Sequence, residues 1–312
     1  MTDPSPAPRV SRAKVATTVI GVLVALAAGA FVARTLLRDR QQIRDALAGA
    51  SHGWIALAAV LAIVGMTAIA WPWRRVIRVF GDDMPLGQVI ARYFVGEIGK
   101  YLPGGVWPIL GRGELAARWG IPRPAAYGSV LLSLLTLYLG AMSLVVLGLP
   151  SLVAGGDGPG PVAVVALLPL GLGALHPAVL RGILRLVERV SRRSIDLIVP
   201  PWGTSVSLVL RYVPAWLAIG GATWAVARAF DPQAPLLEVG TAAVLSWVVG
   251  FVLVPVPGGV GVREAAFVAA AGSLDPGIAA AVALAARALF VLVDAAGAVI
   301  GSLALRRSGA QR

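Results

Sequence analysis

Six long apolar runs limit what this chain can become: Val15–Leu37, Trp54–Trp71, Pro124–Leu149, Pro161–Leu180, Ser205–Ala229 and Ile278–Leu305. Crossing the hydrocarbon of a bilayer takes roughly 18 to 20 residues of helix, and each run meets that length. In hydrocarbon every backbone N–H and C=O must be paired, which a helix does within itself. Charged residues are only 13% of the chain and hydrophobic residues 58%. A soluble domain carries about a quarter charged residues, so there are too few here to coat a water-facing surface. The sequence predicts an all-α polytopic membrane protein. Trp54 and Trp71 bracket the second run, and a rise of about 26 Å separates them, which suits two interfacial indoles.

The net charge of +12 does not point to nucleic acid. Most Lys and Arg lie in short loops beside apolar runs, where they hold loops on the cytoplasmic side, and no nucleic-acid motif accompanies them. With the N-terminus inside, the inner regions collect nineteen Lys and Arg and the outer regions five. Arg34, Arg38, Arg40 and Arg44 are the exception to that bias. The Arg181–Arg193 run reads as a cytoplasmic loop touching anionic lipid. There is no Cys, and His52 and His176 are the only histidines, far apart. That removes disulfides, thiolate nucleophiles and any metal-ligand spacing. The N-terminal apolar run is too long for a cleaved signal peptide, whose apolar core is roughly 7 to 15 residues, and is read as the first span.

Two further segments do not fit a simple crossing. Pro85–Trp119 is interrupted at Pro103-Gly104-Gly105, and Leu236–Leu274 at Pro255-Val256-Pro257-Gly258-Gly259. Both interruptions read Pro-Gly-Gly-Val, and Pro103 and Pro257 lie 154 residues apart, near half of 312. As helix, the arms around the second break would span about 22 and 20 Å, short of a core of roughly 30 Å. A re-entrant hairpin fits better. The expected fold is therefore six full transmembrane helices plus two re-entrant hairpins, arranged as an inverted repeat of 15–149 and 161–305. Cytoplasmic tails of 1–14 and 306–312 flank a single transmembrane unit of 15–305. Inverted repeats with broken helices meeting near the midplane are a recurring transporter plan.

Proline breaks a helix because it lacks an N–H and clashes with the preceding turn. The glycines that follow permit backbone angles other residues avoid. The helix that restarts exposes unpaired N–H groups and the positive end of its dipole, which attract phosphate or carboxylate. Pro103, Gly104 and Gly105, with Pro257, Gly258 and Gly259, are thus candidate anion-binding turns. Arg112 and Arg263 follow at roughly 13 and 9 Å along a helix. An Arg at a helix centre costs about 2.5–3.5 kcal/mol on insertion scales and needs a partner, water or a ligand. Glu114 and Glu264 are the candidate partners, and a purely structural alternative is that each Arg–Glu pair locks its own hairpin. Arg287 and Asp294 sit seven residues apart on one face of the last span, for a pathway role or as bridges to other helices. Arg92, Glu97 and Lys100 form the polar flank of an amphipathic stretch expected to rest at the interface, with Glu97 and Lys100 as candidate headgroup contacts.

YLPGGVWPILGRGELAARWGIP and VLVPVPGGVGVREAAFV resemble the two signature regions of the transmembrane part of lysylphosphatidylglycerol synthases, a flippase-like family. The resemblance covers nearly the whole chain, and Pro-Gly-Gly-Val-Gly with Arg-Glu is its more specific motif. It implies two inverted re-entrant regions and movement of a phospholipid between leaflets, and it maps the motif residues onto Arg112, Arg263 and Glu264. The synthases carry a soluble aminoacyl-transferase domain after the membrane region, so a chain ending at Arg312 is not expected to make lysylphosphatidylglycerol itself. No nucleophile elbow, phosphate loop, zinc motif or Asp-rich metal motif is present. The expectation is a non-enzymatic lipid flippase of the bacterial inner membrane, without cofactor or metal, acting on an anionic phospholipid or polyprenyl-phosphate-linked headgroup. Both termini would be cytoplasmic. The runner-up is a non-transporting partner that scaffolds a membrane glycosyltransferase or lipid-modifying enzyme. A third reading is an intramembrane transferase with Glu264 or Glu97 as base.

Overall fold

The computed structural model of the chain describes residues 51–102, 105–153, 168–192, 194–252 and 261–309. The first expected span (Val15–Leu37), the start of the fourth (Pro161–Leu180), both tails except 306–309, and Pro103, Gly104, Pro257, Gly258 and Gly259 lie outside the described residues.

The described chain is helical. Helix α1 (His52–Ala68) runs almost directly into α2 (Ala70–Val79). Helix α3 (Leu86–Glu97) ends in a single 3-10 turn, Ile98–Tyr101, and α4 (Trp107–Trp119) follows the first break. Helix α5 is Arg123–Val153, α6 is Leu168–Ala174 and α7 is Pro177–Ser191. Then come α8 (Trp202–Phe230), α9 (Leu236–Val252), α10 (Val262–Ala270) after the second break, and α11 (Pro276–Gly309). Among the described residues, four helical stretches are long and apolar enough to cross a membrane: His52–Val79, Arg123–Leu152, Trp202–Phe230 and Pro276–Arg307. They contain four of the six expected crossings.

The expected crossing that ends at Leu180 is bent: α6 and α7 together are long and apolar enough for one broken span. Between α6 and α7 the axis turns by 64°. His176 is extended (φ −63°, ψ 135°) and Pro177 starts the next helix, because a residue before proline is driven out of the helical region. Leu180 therefore lies beyond the bend, in α7.

Elements recur at an almost constant offset. Helices α8 and α9 begin 150 residues after α1 and α3, and α11 begins 153 after α5. Several pairings recur when the halves are exchanged: α1 lies on α8, α3 on α11 as α9 on α5, and α4 on α5 as α10 on α11. Glycines bring these partners together. A Cβ on Gly148 of α5 would stand 2.0 Å from Thr241 Oγ1 of α9, and one on Gly301 of α11 would stand 2.8 Å from the Ala91 oxygen of α3. Small residues that let backbones approach are the usual means of helix association in lipid, where hydrophobicity supplies no drive.

Buried aromatics at the α5 interfaces carry their polar ends to partners. Trp216 Nε1 donates to the Leu137 oxygen (2.7 Å), the Tyr212 hydroxyl meets Ser133 Oγ (2.9 Å), and Trp73 Nε1 donates to Ser129 Oγ (3.2 Å). At the α2–α3 loop, Asp83 accepts from Arg78 (3.0 Å) and Arg74 (3.2 Å). The Arg78 hydrogen bonds, and then Arg74, hold the Asp83 carboxyl well below the usual carboxylate range.

Candidate functional site

Each break is closed by the same contact. A Cβ on Gly96 of α3 would sit 2.5 Å from Arg112 Cγ of α4, and one on Gly250 of α9 would sit 2.2 Å from Arg263 Cγ of α10. Only glycine leaves room for the arginine stem to fold back on the preceding helix. Gly105, the described member of the first turn, has φ +65°, a left-handed angle that glycine adopts without a Cβ penalty. In the first hairpin Arg92 Nε also donates to the Leu115 oxygen of α4 (3.0 Å), and its guanidinium lies 4.7 Å from the Trp119 ring centre.

These closures gather seven ionisable residues. Glu97 and Lys100 come from the end of α3, Arg112 from α4, Arg263 and Glu264 from α10, and Arg287 and Asp294 from α11. Lys100 Nζ is 2.6 Å from Asp294 Oδ2 and 3.7 Å from Glu97 Oε1. The Tyr101 hydroxyl donates to the same Asp294 oxygen (2.7 Å). Asp294 is fully buried, and among the described residues its Oδ1 has no hydrogen-bond partner. Arg112 is also fully buried, at 0% exposure. Its Nε is 3.8 Å from Glu97 Oε2, and its guanidinium carbon is 5.6 Å from the ring centres of both Trp73 and Tyr93. None of its three nitrogens makes a hydrogen bond among the described residues.

On the other side, Glu264 pairs with Arg287 and accepts from the Gly261 N–H (2.7 Å) at the start of α10. Arg263 makes no ion pair among the described residues and stacks on Trp247, with its guanidinium carbon 3.5 Å from the ring centre. Lys100 Nζ lies 5.6 Å from the same ring. Trp247 therefore stands between the charges of the two broken segments. A cavity of about 30 Å³ lies beside it, lined by Thr223, Ser246, Trp247, Arg263, Glu264 and Arg287 among others. That is room for a water or two. Four cations face three carboxylates in this cluster, a surplus of one positive charge. The described residues hold no group of His, Cys, Asp and Glu suited to a metal ion.

Three expectations change. Arg112 pairs with Glu97 rather than Glu114, which lies on the outer face of α4 and meets Arg118 (3.4 Å) and Arg123 (3.5 Å). Glu264 pairs with Arg287 rather than Arg263. The reason is common to both: neighbours in sequence on one helix point around it, while the fold-back at Gly96 and Gly250 aims each arginine at another element. The polar flank of α3 does not rest at the interface either. Arg92 is buried, and the side chains of Glu97 and Lys100 are 15% and 16% exposed, because α4 and α11 cover that flank. The sequence reading missed Tyr93, Tyr101, Trp73 and Trp247. For Gly96 and Gly250 a signal existed, since they share the 154-residue offset of the two Pro-Gly-Gly turns. Trp247 stands at the same offset from Tyr93.

A family description matches residues 18–301, nearly the whole chain: lysylphosphatidylglycerol synthase TM region. No individual curated protein matches alongside it. The chain is a multi-pass membrane protein, and with both broken segments inside the matched span it belongs to the lysylphosphatidylglycerol synthase TM region family.

Proposed function

We propose that this protein moves an anionic lipid headgroup between leaflets, with its two halves inserted in opposite directions and no catalytic step or cofactor of its own. The headgroup class is a phospholipid or a polyprenyl-phosphate-linked sugar. The observation that carries the reading is the buried cluster around Trp247. A surplus cation, and a guanidinium whose three nitrogens lack hydrogen bonds among the described residues, are costly in an apolar interior. A phosphate would balance the surplus charge. Arg263, half-buried and stacked on an aromatic face, is the group placed to receive it, since Arg presents its donors in a fork that fits phosphate. We place the site in a bacterial inner membrane with both termini cytoplasmic, following the Lys and Arg distribution.

The small size of the central cavity favours a second reading. A centre with room for a water or two is also what a non-transporting scaffold for a glycosyltransferase or lipid-modifying enzyme would have. Under the transport reading this is an occluded state, and the hairpins must separate for passage. The test is reconstitution into vesicles holding a fluorescent anionic phospholipid, with an impermeant quencher added outside. Protein-containing vesicles should lose inner-leaflet signal that empty vesicles retain. Arg263→Gln should slow that loss about tenfold or more, the value of a charged hydrogen bond of roughly 1.5–3 kcal/mol. No movement of phosphatidylglycerol or of a polyprenyl-phosphate sugar would overturn transport and leave the scaffold reading.

A further inference from the structure

The charges of the central cluster do not balance, and the imbalance falls on one residue. Asp294 is matched by Lys100 (2.6 Å) and Glu264 by Arg287. Glu97 lies between Lys100 (3.7 Å) and Arg112 (3.8 Å). That leaves Arg263, which makes no ion pair among the described residues and stacks on Trp247. Arg92 stands apart, about 7.5 Å back along α3 from Glu97, where its guanidinium donates to Gln88 and to the Leu115 carbonyl. The undescribed residues of the two breaks, Pro103, Gly104 and 253–260, carry no ionisable side chain. Nor is a carboxylate open to a further cation. Glu264 also accepts from the Gly261 N–H (2.7 Å). Asp294 Oδ1 has no hydrogen-bond partner among the described residues, but the charge of that carboxylate is already matched by Lys100. The cluster therefore offers one unmatched positive charge and no unmatched negative one, in an interior where charges interact far more strongly than in water.

We propose that the cluster selects lipids by charge: it takes a headgroup with a single net negative charge, a phosphodiester with an uncharged remainder. The inference rests on the transport reading and narrows it. One phosphodiester brings the four cations and three carboxylates of the cluster to neutrality. A phosphomonoester, which approaches two charges above neutral pH, or a pyrophosphate would leave a negative charge buried without a partner. A zwitterionic headgroup brings an ammonium for which no carboxylate is open, and leaves the site one positive charge over. An uncompensated buried charge is costly in either case, and rejecting a competitor through unpaired charge is a general route to specificity. Phosphatidylglycerol and a polyprenyl-phosphate-linked sugar both meet the condition. Phosphatidic acid and a bare polyprenyl phosphate do not.

The test uses the full-length protein and three lipids with the same acyl chains. Binding is read from the rise in thermal midpoint of the detergent-solubilised protein as lipid is added, and movement from loss of inner-leaflet fluorescence in vesicles. Phosphatidylglycerol is the monoanion and phosphatidylcholine the zwitterion. Phosphatidic acid goes from about one charge to about two between ~pH 5 and ~pH 8. The titratable groups of the cluster are its three carboxyls, Lys100 and the phenols of Tyr93, Tyr101 and Tyr138, and neither histidine is among them. Phosphatidylglycerol, equally charged at both pH values, corrects for these groups. It should bind and move at least tenfold better than phosphatidylcholine throughout. Phosphatidic acid should match it at the lower pH and fall at least tenfold behind at the higher. Arg263→Gln balances the cluster and should abolish both preferences. Glu97→Gln raises the surplus to two, and should shift the ratio at the higher pH at least tenfold toward phosphatidic acid. The series on the parent protein decides by itself where a variant does not fold. If binding follows charge in this way but no lipid moves, the charge selection stands and transport falls. If all three lipids move at one rate, transport stands and the charge selection falls. Preferences that survive in Arg263→Gln belong to exposed arginines such as Arg181 and Arg185, and also overturn the proposal.

Discussion

Replacing Asp294 by Asn removes one charge from the centre of the cluster while keeping the shape of the side chain. Asp294 is fully buried, with Lys100 Nζ at 2.6 Å, and the nearest other carboxylate to Lys100 is Glu97 at 3.7 Å. Asn still accepts from the Tyr101 hydroxyl, so the change isolates the charge. Removing one member of a buried ion pair costs about 3–5 kcal/mol, because the other is left uncompensated. At roughly 2–4 °C per kcal/mol, the thermal midpoint of the detergent-solubilised protein should fall by about 6–20 °C. Lys100→Met should cost about as much, since it strands Asp294 instead. The double variant removes both charges and should be more stable than the two losses added together, by about 1–3 kcal/mol in a double-mutant cycle. Tryptophan fluorescence during heating reads all four proteins. Strictly additive losses would refute the reasoning, because they would mean that Lys100 and Asp294 do not sense one another.

Two further outcomes follow from particular contacts. Gly148→Ala places a methyl 2.0 Å from the Thr241 hydroxyl and should destabilise by about 1–3 kcal/mol, whereas Gly182→Ala, on an exposed helix position with open space around it, should stabilise by roughly 0.5–1 kcal/mol; equal effects in thermal unfolding would contradict the close approach of α5 and α9. For Asp83, whose carboxyl is held low by Arg78 and Arg74, the contribution to stability is present above the unfolded carboxylate value of about 3.9 and is lost as pH falls through the lower folded value. The difference in thermal midpoint between the parent and Asp83→Asn should therefore be full at neutral pH and narrow on acidification; a difference that widens on acidification would show the clamp to be absent.

The sequence by itself determined the class of this protein. Runs of apolar residues longer than the hydrocarbon is thick leave a chain little choice but to cross a membrane as helices, and the four crossings at Trp54, Pro124, Ser205 and Ile278 need no tertiary information. The repeated Pro-Gly-Gly-Val was equally legible, because a break in a helix is a local event dictated by proline and glycine. The partners of the charges were not. Helical spacing relates residues on one helix, so reading outward from Arg112 and Arg263 led to Glu114 and Glu264. The tertiary structure instead folds each arginine against a glycine of the helix before the break and pairs Arg112 with Glu97, Glu264 with Arg287, and Lys100 with Asp294 across 194 residues of chain. It also set Trp247 between the two broken segments, a placement that its 154-residue offset from Tyr93 does not by itself reveal. Contacts between helices depend on how the helices cross, and that is settled by side-chain packing over the whole molecule rather than by any one stretch.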